Sequence, residues 1–152
     1  MTKKIDIASA PEKRGSAYPA PFNLTGMGKF RKKLGDAAGL SQFGVNLLEL
    51  QPGAWSAQRH WHTDEDEFVY VLEGEVILQT NAGEEVLRVG DCAGFKASDP
   101  DGHCLINRTD ALVRLLEVGG RDPDKDAVHY PDIDLFIPAG ERIYVHKDGT
   151  PY

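Results

Sequence analysis

Residues 53–74 read GAWSAQRHWHTDEDEFVYVLEG, and this stretch decides both the fold and the candidate site. His60 and His62 are one residue apart, among residues that favour strands. Because side chains alternate between the two faces of a strand, both imidazoles project the same way and can share one ion. A carboxylate from the next strand could supply a third ligand. The spacing leaves four candidates for it, namely Asp64, Glu65, Asp66 and Glu67.

Length and charge limit the class of protein. A chain of 152 residues fits one domain with a sizeable core. Its 17 basic and 24 acidic residues give a net charge of -7, which argues against nucleic acid or an anionic membrane as the main partner. The basic start of the chain is not followed by an apolar run typical of a signal peptide. We therefore expect a cytoplasmic protein without a membrane-spanning segment.

The two cysteines, Cys92 and Cys104, are too far apart for a CxxC motif, which excludes a zinc knuckle and a thioredoxin-like motif. In a reducing compartment both are expected to be free thiols. Cys104 could be a redox thiol, but the role of a small buried hydrophobic residue is more common.

Short apolar runs follow one another from residue 43 to residue 118, with turn residues between them. The predicted strands are 43–50, 68–72, 76–80, 85–89, 92–95, 103–107 and 111–118. Strands of this length, without intervening helical periods, indicate an all-β sandwich or barrel and exclude an α/β fold.

The two ends of the chain lack this pattern. Residues 1–40 contain several prolines and glycines, so we expect an arm over the domain, with its basic run at 31–33 in solvent. Residues 121–152 are polar and rich in turn signals. Within them, 133–137 and 142–145 could add two edge strands or pack against a neighbouring subunit.

The spacing around the two histidines resembles the first motif of the cupin superfamily, G-x5-H-x-H-x3,4-E-x6-G. Six residues separate Gly53 from His60, one more than in the motif. The remainder fits, through His62 and Glu67 to Gly74. The resemblance therefore implies that Glu67 is the carboxylate ligand.

The second cupin motif, G-x5-P-x-G-x2-H-x3-N, is matched more loosely. Gly90 is present and His103 precedes Asn107 at the required spacing, but Lys96 replaces the proline. The resemblance implies His103 as the fourth ligand and a differently shaped loop at the pocket rim. Cys104 must face the opposite way from His103 on a strand, and the asparagine spacing favours His103.

Short sequence segments along nearly the whole chain resemble those of small single-domain bacterial cupins. The resemblance implies a jelly-roll barrel, or double-stranded β-helix, at 41–120, with an N-terminal arm at 1–40 and a C-terminal extension at 121–152. The ligand set would hold one divalent transition metal ion, and ligand softness does not distinguish among Mn, Fe, Co, Ni, Cu and Zn.

The expected function is that of a metal-dependent enzyme acting on a small polar or carboxylated organic molecule, of dioxygenase, isomerase or lyase type. Four protein ligands leave an open position on the ion for substrate. The alternative is a non-catalytic barrel that binds or senses a small ligand, because no acid or base beyond the ligands stands out. Exposed strand edges and the two arms predict a homodimer.

Other polar residues are weaker candidates. Gln58 would lie on the same face of an extended strand as the two histidines, and it could face either the cavity or solvent. Asn107 matches the second motif, but it could equally cap a turn. Tyr70 could act as an acid or base, yet its parity with Phe68 and Leu72 predicts core packing.

Overall fold

The computed structural model describes residues 4–152, so the first three residues of the expected arm lie outside the described residues. The strands are β1 (Glu12–Arg14), β2 (Lys29–Lys33), β3 (Phe43–Leu50), β4 (Trp61–His62), β5 (Glu67–Glu73), β6 (Glu75–Thr80), β7 (Gly83–Arg88), β8 (Cys92–Phe95), β9 (Cys104–Ile106), β10 (Val113–Gly120), β11 (Val128–Tyr130) and β12 (Leu135–Ile137). A 3-10 turn spans Phe22–Gly26, and α1 spans Leu34–Ala37. Within the described range, no helix has the length and apolar character needed to cross a membrane.

The strands form antiparallel sheets arranged as a jelly-roll, which confirms the all-β prediction. The large sheet has six strands in the order β1-β2-β3-β10-β5-β8. A smaller sheet, β7-β6-β9, packs against it, and a third, β12-β11-β4, lies beside the histidine segment. The central strands β3 and β10 pair over their whole length, from Val113 opposite Leu50 to Gly120 opposite Phe43.

The core fills one end of the barrel between the two main sheets. It is built from inward-facing aliphatic residues of both sheets, which include Leu48, Leu50, Val71, Val76, Leu78, Leu87, Leu105, Val113 and Leu115. Burying each leucine contributes about 1.5–3 kcal/mol relative to leaving it in water. This apolar end holds the sheets together.

The inward-facing positions become polar towards the other end of the barrel. Along β5 they change from Val71 and Val69 to Glu67, and along β10 from Leu115 to Glu117. A polar interior cannot close into a dry core without partners for each group. The barrel therefore has an apolar end that stabilises it and a polar end that contains a cavity.

The expected N-terminal arm is partly a component of the large sheet. β2 pairs with β3 from Lys29 opposite Leu50 to Lys33 opposite Asn46, and β1 pairs with β2. The prediction that the basic run lies in solvent is wrong for Arg31, whose side chain points inward and pairs with Glu117. Sequence periodicity missed β2 because its inward positions are cationic rather than apolar.

The prediction of core packing for Tyr70 is also wrong. Phe68, Tyr70 and Leu72 lie on the outer face of β5, with exposed fractions of 40%, 38% and 44%. The prediction that these three side chains share one face of the strand is correct, but the core lies on the opposite face, which carries Val69 and Val71. This leaves an apolar outer face on the large sheet.

The C-terminal extension packs on the barrel. β12 covers the last three residues of the predicted edge strand at 133–137. The predicted strand at 142–145 is reduced to two isolated bridges of Val145, one to Phe136 and one to Pro151. β11, which was not predicted, pairs with β4 through Val128 opposite His62. The extension thereby reaches the histidine segment.

Candidate metal centre

The four predicted ligands, His60, His62, Glu67 and His103, are brought together at the polar end of the barrel. His62 ends β4 and Glu67 begins β5. The backbone N–H of His60 donates to the carbonyl of His103 at 3.1 Å, and the N–H of His103 donates back at 2.9 Å. This reciprocal pair places the two imidazole rings with their centroids 4.8 Å apart.

One carboxylate oxygen lies among the three imidazoles. Oε2 of Glu67 is 3.5 Å from Nε2 of His60, 3.4 Å from Nε2 of His62 and 3.0 Å from Nε2 of His103. Ligand atoms bound to one tetrahedral zinc ion would be roughly 3.3 Å apart. The ligand atoms of His60, His62 and Glu67 all lie within 4.8 Å of one another. His103 lies outside that mutual grouping and contacts it through Oε2 of Glu67.

Two of the imidazoles are oriented by hydrogen bonds on their far side. Nδ1 of His60 lies 2.8 Å from the carbonyl oxygen of Gln58, and Nδ1 of His62 lies 2.6 Å from Oδ2 of Asp126. A carbonyl or carboxylate oxygen accepts, so Nδ1 carries the proton in both rings. In the neutral rings, both Nε2 lone pairs therefore point towards Glu67.

The centre of this group contains an orphaned acceptor. Oε2 of Glu67 and Nδ1 of His103 are the buried side-chain atoms of the described chain that have no hydrogen-bond partner. Lone pairs of His60 and His62 facing a carboxylate oxygen repel one another unless a proton or a cation lies between them. Three imidazole nitrogens and one carboxylate oxygen suit a borderline divalent ion. The residues present therefore fit a single metal site.

The electrostatics of the group favour an ionised carboxylate. Burial alone would raise the pKa of Glu67, but contacts with His103 and His60 outweigh burial and hold this pKa well below its usual range. Burial lowers the pKa of His103. Burial also opposes charge on His62, but its hydrogen bond to Asp126 and the nearby charges of Glu67, Asp126 and Glu65 together outweigh burial and raise the pKa of His62.

Two residues that support the imidazoles were not found from the sequence. Asp126 is buried and accepts hydrogen bonds from His62 and from the backbone N–H of Asp64, which outweigh its burial and lower its pKa. Phe95 stacks on His103 with ring centroids 3.5 Å apart and planes 2° apart. Asp126 lies 64 residues from His62, in a stretch with no motif that indicates this role.

Two of the other three acids in the cluster have separate partners, and the third is exposed. Glu65 accepts the backbone N–H of Asp122 through Oε1 at 2.6 Å. Asp66 accepts the N–H of Ala97 at 2.7 Å, and Asp64 is exposed. Of the four acids, Glu67 is therefore the one whose carboxylate contacts all three imidazoles.

A cavity of about 360 Å³ opens beside the four residues. One wall carries His60, His62, Glu67 and His103. The facing wall comes from the N-terminal arm, through the cationic and phenolic side chains Lys13, Tyr18, Lys29 and Arg31. A second cavity, of about 240 Å³, shares His62, Glu67 and His103 and opens towards Lys96.

The cavity residues of the N-terminal arm could not be predicted from the sequence. The segment was expected to be irregular, and without a strand register no side-chain direction could be assigned to it. Nζ of Lys29 donates to the carbonyl of Ser56 at 2.7 Å, and Arg31 makes two bonds to Glu117, at 2.6 and 2.9 Å. One feature of the sequence did point to this wall. Lys29 and Arg31 are two residues apart, so in a strand both side chains lie on the same face.

The weaker candidates have structural roles. Gln58 is buried outside the cavity lining and donates to the carbonyl of Phe22 and the hydroxyl of Thr25, so it anchors the arm. Asn107 is fully buried and donates to the carbonyl of Leu50, among other turn contacts. Cys104 is buried as well, and burial raises the pKa of its thiol to about 12.

Comparison with known proteins gives the same fold. A family model described as the cupin domain matches residues 46–119. A search of curated proteins finds no match to the chain.

Solved structures resemble the chain closely. A structure from Silicibacter pomeroyi, named as a sugar phosphate isomerase from a cupin superfamily, is 45% identical, with a TM-score of 0.92, and the match covers 99% of this chain and 96% of the other. A structure from Acidithiobacillus ferrooxidans, provisionally named as a sugar phosphate isomerase, is 32% identical, with a TM-score of 0.72 and coverage of 82% and 80%. A polyketide cyclase from Streptomyces resistomycificus is 18% identical, with a TM-score of 0.61 and coverage of 79% and 80%, and it shares the fold alone.

Proposed function

The chain belongs to the cupin superfamily, and from that premise we propose that it is a metal-dependent isomerase of phosphorylated sugars. The observation that carries the proposal is the convergence of His60, His62 and His103 on the orphaned oxygen of Glu67. The relative from Silicibacter pomeroyi supports the reaction class, because its name is that of a sugar phosphate isomerase.

The proposed ligands are His60, His62, Glu67 and His103, which would hold one divalent transition metal ion. When bound, such an ion supplies a Lewis acid that polarises a carbonyl or hydroxyl oxygen of the substrate. Asp126 and the carbonyl of Gln58 keep the protons of His62 and His60 on Nδ1. The Nε2 atoms are then free to act as ligands without a proton being lost first.

The cavity fits a small polar substrate. Its volume of about 360 Å³ lies at the lower end of the usual range for ligand pockets, roughly 300–1,000 Å³. Tyr18 and Tyr130 line it, and burial raises the pKa of Tyr18 to about 12 and that of Tyr130 well above its ordinary value. Both phenols therefore stay protonated at neutral pH. Because they are hydrogen-bonded to each other, one phenolic proton is left to donate to a sugar hydroxyl.

The test is interconversion of aldose and ketose phosphates by protein reconstituted with individual divalent metals, followed by NMR in deuterated water. We expect turnover with at least one pentose or hexose phosphate, and a loss of about a hundredfold or more in Glu67→Gln. Asp64→Asn, an exposed neighbour in the same acidic cluster, serves as the control. Tight binding of these sugars without any turnover would contradict the proposal.

We also propose that the chain forms a homodimer through the outer face of the large sheet. Phe43, Phe68, Tyr70 and Leu72 are each 38% to 44% exposed on this face. The register places Phe68 opposite Val118 and Tyr70 opposite Leu116 on the adjoining strand, so the apolar surface is continuous. A solvated sheet face is normally polar, and a contiguous apolar face indicates an interaction site. A second copy presents an identical face, as an isologous contact requires.

A further inference from the structure

Two lysines in the arm-side wall of the cavity have no carboxylate partner. Lys29 is 5% exposed, and its Nζ donates to a carbonyl of Ser56 at 2.7 Å. Within residues 4–152, no acidic oxygen lies within 4.0 Å of the ammonium group of Lys29 or Lys13. A buried ammonium ion without a counter-ion is costly, and a bound anion would relieve that cost.

Arg31 adds a third cation to the same wall. Its two bonds to Glu117 fix the guanidinium plane on the cavity side of β2. Glu117 is the one carboxylate that forms an ion pair with these three cations in the described chain, so two positive charges have no ion-pair partner. The wall is therefore electropositive although the whole chain carries a net charge of -7.

Tyr18 supplies a neutral donor beside the cations. Its hydroxyl oxygen accepts the backbone N–H of Gln58 at 3.2 Å. The hydroxyl of Tyr130 is its other hydrogen-bond partner, and Tyr18 accepts in that contact as well, because the contact opposes the rise in the pKa of Tyr18 that burial causes. The proton of Tyr18 is therefore left for a ligand in the cavity.

We propose that Lys13, Lys29, Arg31 and Tyr18 form a subsite that binds the phosphoryl group of the substrate. The identity of the substrate as a sugar phosphate rests on the proposed function, whereas the preference of this wall for a phosphate dianion does not.

The placement of the subsite fits a substrate that reaches both walls. In the large sheet β2 is three strands away from β5, which carries Glu67, so the two backbones are at most roughly 14 Å apart. The inward-pointing side chains of Arg31 and Glu67 shorten that gap. A molecule with its carbonyl end at Glu67 and its anionic end at Arg31 would lie across the cavity.

The charge and donor number favour phosphate over a carboxylate. Two uncompensated positive charges match a phosphate monoester dianion, whereas one would be sufficient for a carboxylate. Lysine ammonium groups act as point charges for phosphate, and donors spread over separate side chains suit its three terminal oxygens.

The test measures binding of inorganic phosphate to metal-free protein by titration calorimetry at neutral pH, with sodium acetate as the second ligand. Lys29→Met removes the buried charge with little change in volume. The matched control is Lys32→Met, on the same strand, because Lys32 donates to carbonyls of Ile7 and Ala8 instead of lining the cavity.

We expect Lys29→Met to weaken phosphate binding about tenfold or more and Lys32→Met to change it by about twofold or less. Lys13→Met, at an exposed position, should also weaken it. Phosphate binding no tighter than acetate binding, or equal effects of Lys29→Met and Lys32→Met, would overturn the subsite.

A second readout covers the folding of the variant. Lys29→Met should melt at the same temperature as the wild type or higher, because it removes a buried charge that has no counter-ion. A large fall in melting temperature would contradict the claim that this charge is uncompensated. If the metal-loaded protein isomerises no sugar phosphate while phosphate binding still depends on Lys29, the proposed function fails and the subsite stands.

Discussion

The contact between His62 and Asp126 shows how much of the site depends on single hydrogen bonds. Asp126 fixes the ring through Nδ1, so it acts on a ligand without being one. Carboxylates in this position typically change metal affinity by about 10- to 100-fold when they are removed.

Asp126→Asn should therefore weaken binding of a divalent ion such as Zn²⁺ by about tenfold or more, because the amide can present its NH₂ group to Nδ1 and favour the wrong tautomer. Competition titration with a chromophoric chelator measures this affinity. Asp134→Asn is the control, since Asp134 holds His146 in the same way, at 2.8 Å, outside the cavity. Equal affinities of the two variants would show that Asp126 does not position His62.

Lys29 gives a second prediction at this scale. Burial, reinforced by the nearby charge of Arg31, lowers the pKa of Lys29 to about 8. The groups facing it are Arg31, Lys13 and Glu117, with Tyr18 beneath the ammonium. Phosphate affinity should therefore fall as pH rises through about 8, well below the range in which an exposed lysine titrates, roughly pH 10.4.

The stability of the free protein should change in the opposite direction. Because the pKa of Lys29 is lower in the folded state, the unfolded chain binds more protons between about pH 8 and about pH 10.4. The contribution of Lys29 to stability rises across that window. Chemical denaturation of wild type and Lys29→Met at several pH values measures the difference, and parallel pH profiles would contradict the prediction.

Single residues also show how much of the site could be predicted from the sequence. The position of Glu67 among the imidazoles could be predicted because a local spacing matched a known motif. Asp126 could not, because its contact with His62 exists only once β11 has paired with β4. Lys29 could not be predicted either, because the prolines, glycines and cationic residues of its segment do not give the apolar alternation by which a strand is recognised.

At the scale of elements, β3 and the strands from β5 to β10 were predictable because most of their inward residues are apolar and glycines mark several of their turns. Both β3 and β8 have the predicted bounds. β2 was missed because the cavity end of the barrel places Lys29 and Arg31 where a core strand would carry aliphatic residues. The outer face of β5 was misassigned because an apolar residue does not reveal which face of the sheet is buried.

β2 should behave as an internal strand in hydrogen exchange. It lies between β1 and β3 in the sheet, so the amides of Phe30, Arg31 and Lys32 should exchange as slowly as those at the centre of β3. Exchange followed by NMR measures this, with the exposed loop residues Ser41 and Gln42 as the fast reference. If β2 exchanges as fast as the loop, the arm lies over the barrel without joining it.

At the scale of the molecule, the apolar outer face and the polar cavity lie on opposite sides of the same sheet. The core residues of β3, β5 and β10 join the two, so the proposed dimer contact would support the wall that holds Glu67. Association and catalysis would then depend on the same strands.

Light scattering should therefore report a dimer at micromolar concentration. Tyr70→Lys places a charge in the centre of the proposed contact and should shift the mass to that of one chain, because a desolvated charge without a partner is costly. Glu84→Lys, on β7 of the other sheet, is the charge-reversing control. A monomeric wild-type protein, or a dimer that tolerates Tyr70→Lys, would refute the proposed contact.

The most direct test of the central claim is the metal content of protein purified without chelators and then dialysed against a low concentration of divalent ions. The structure predicts about one transition metal ion per chain in the wild type, and about a tenth of that or less in the double variant His60→Ala, His62→Ala, with its fold checked by circular dichroism. A folded wild-type protein that takes up no ion, or a double variant that keeps its ion, would contradict the metal site.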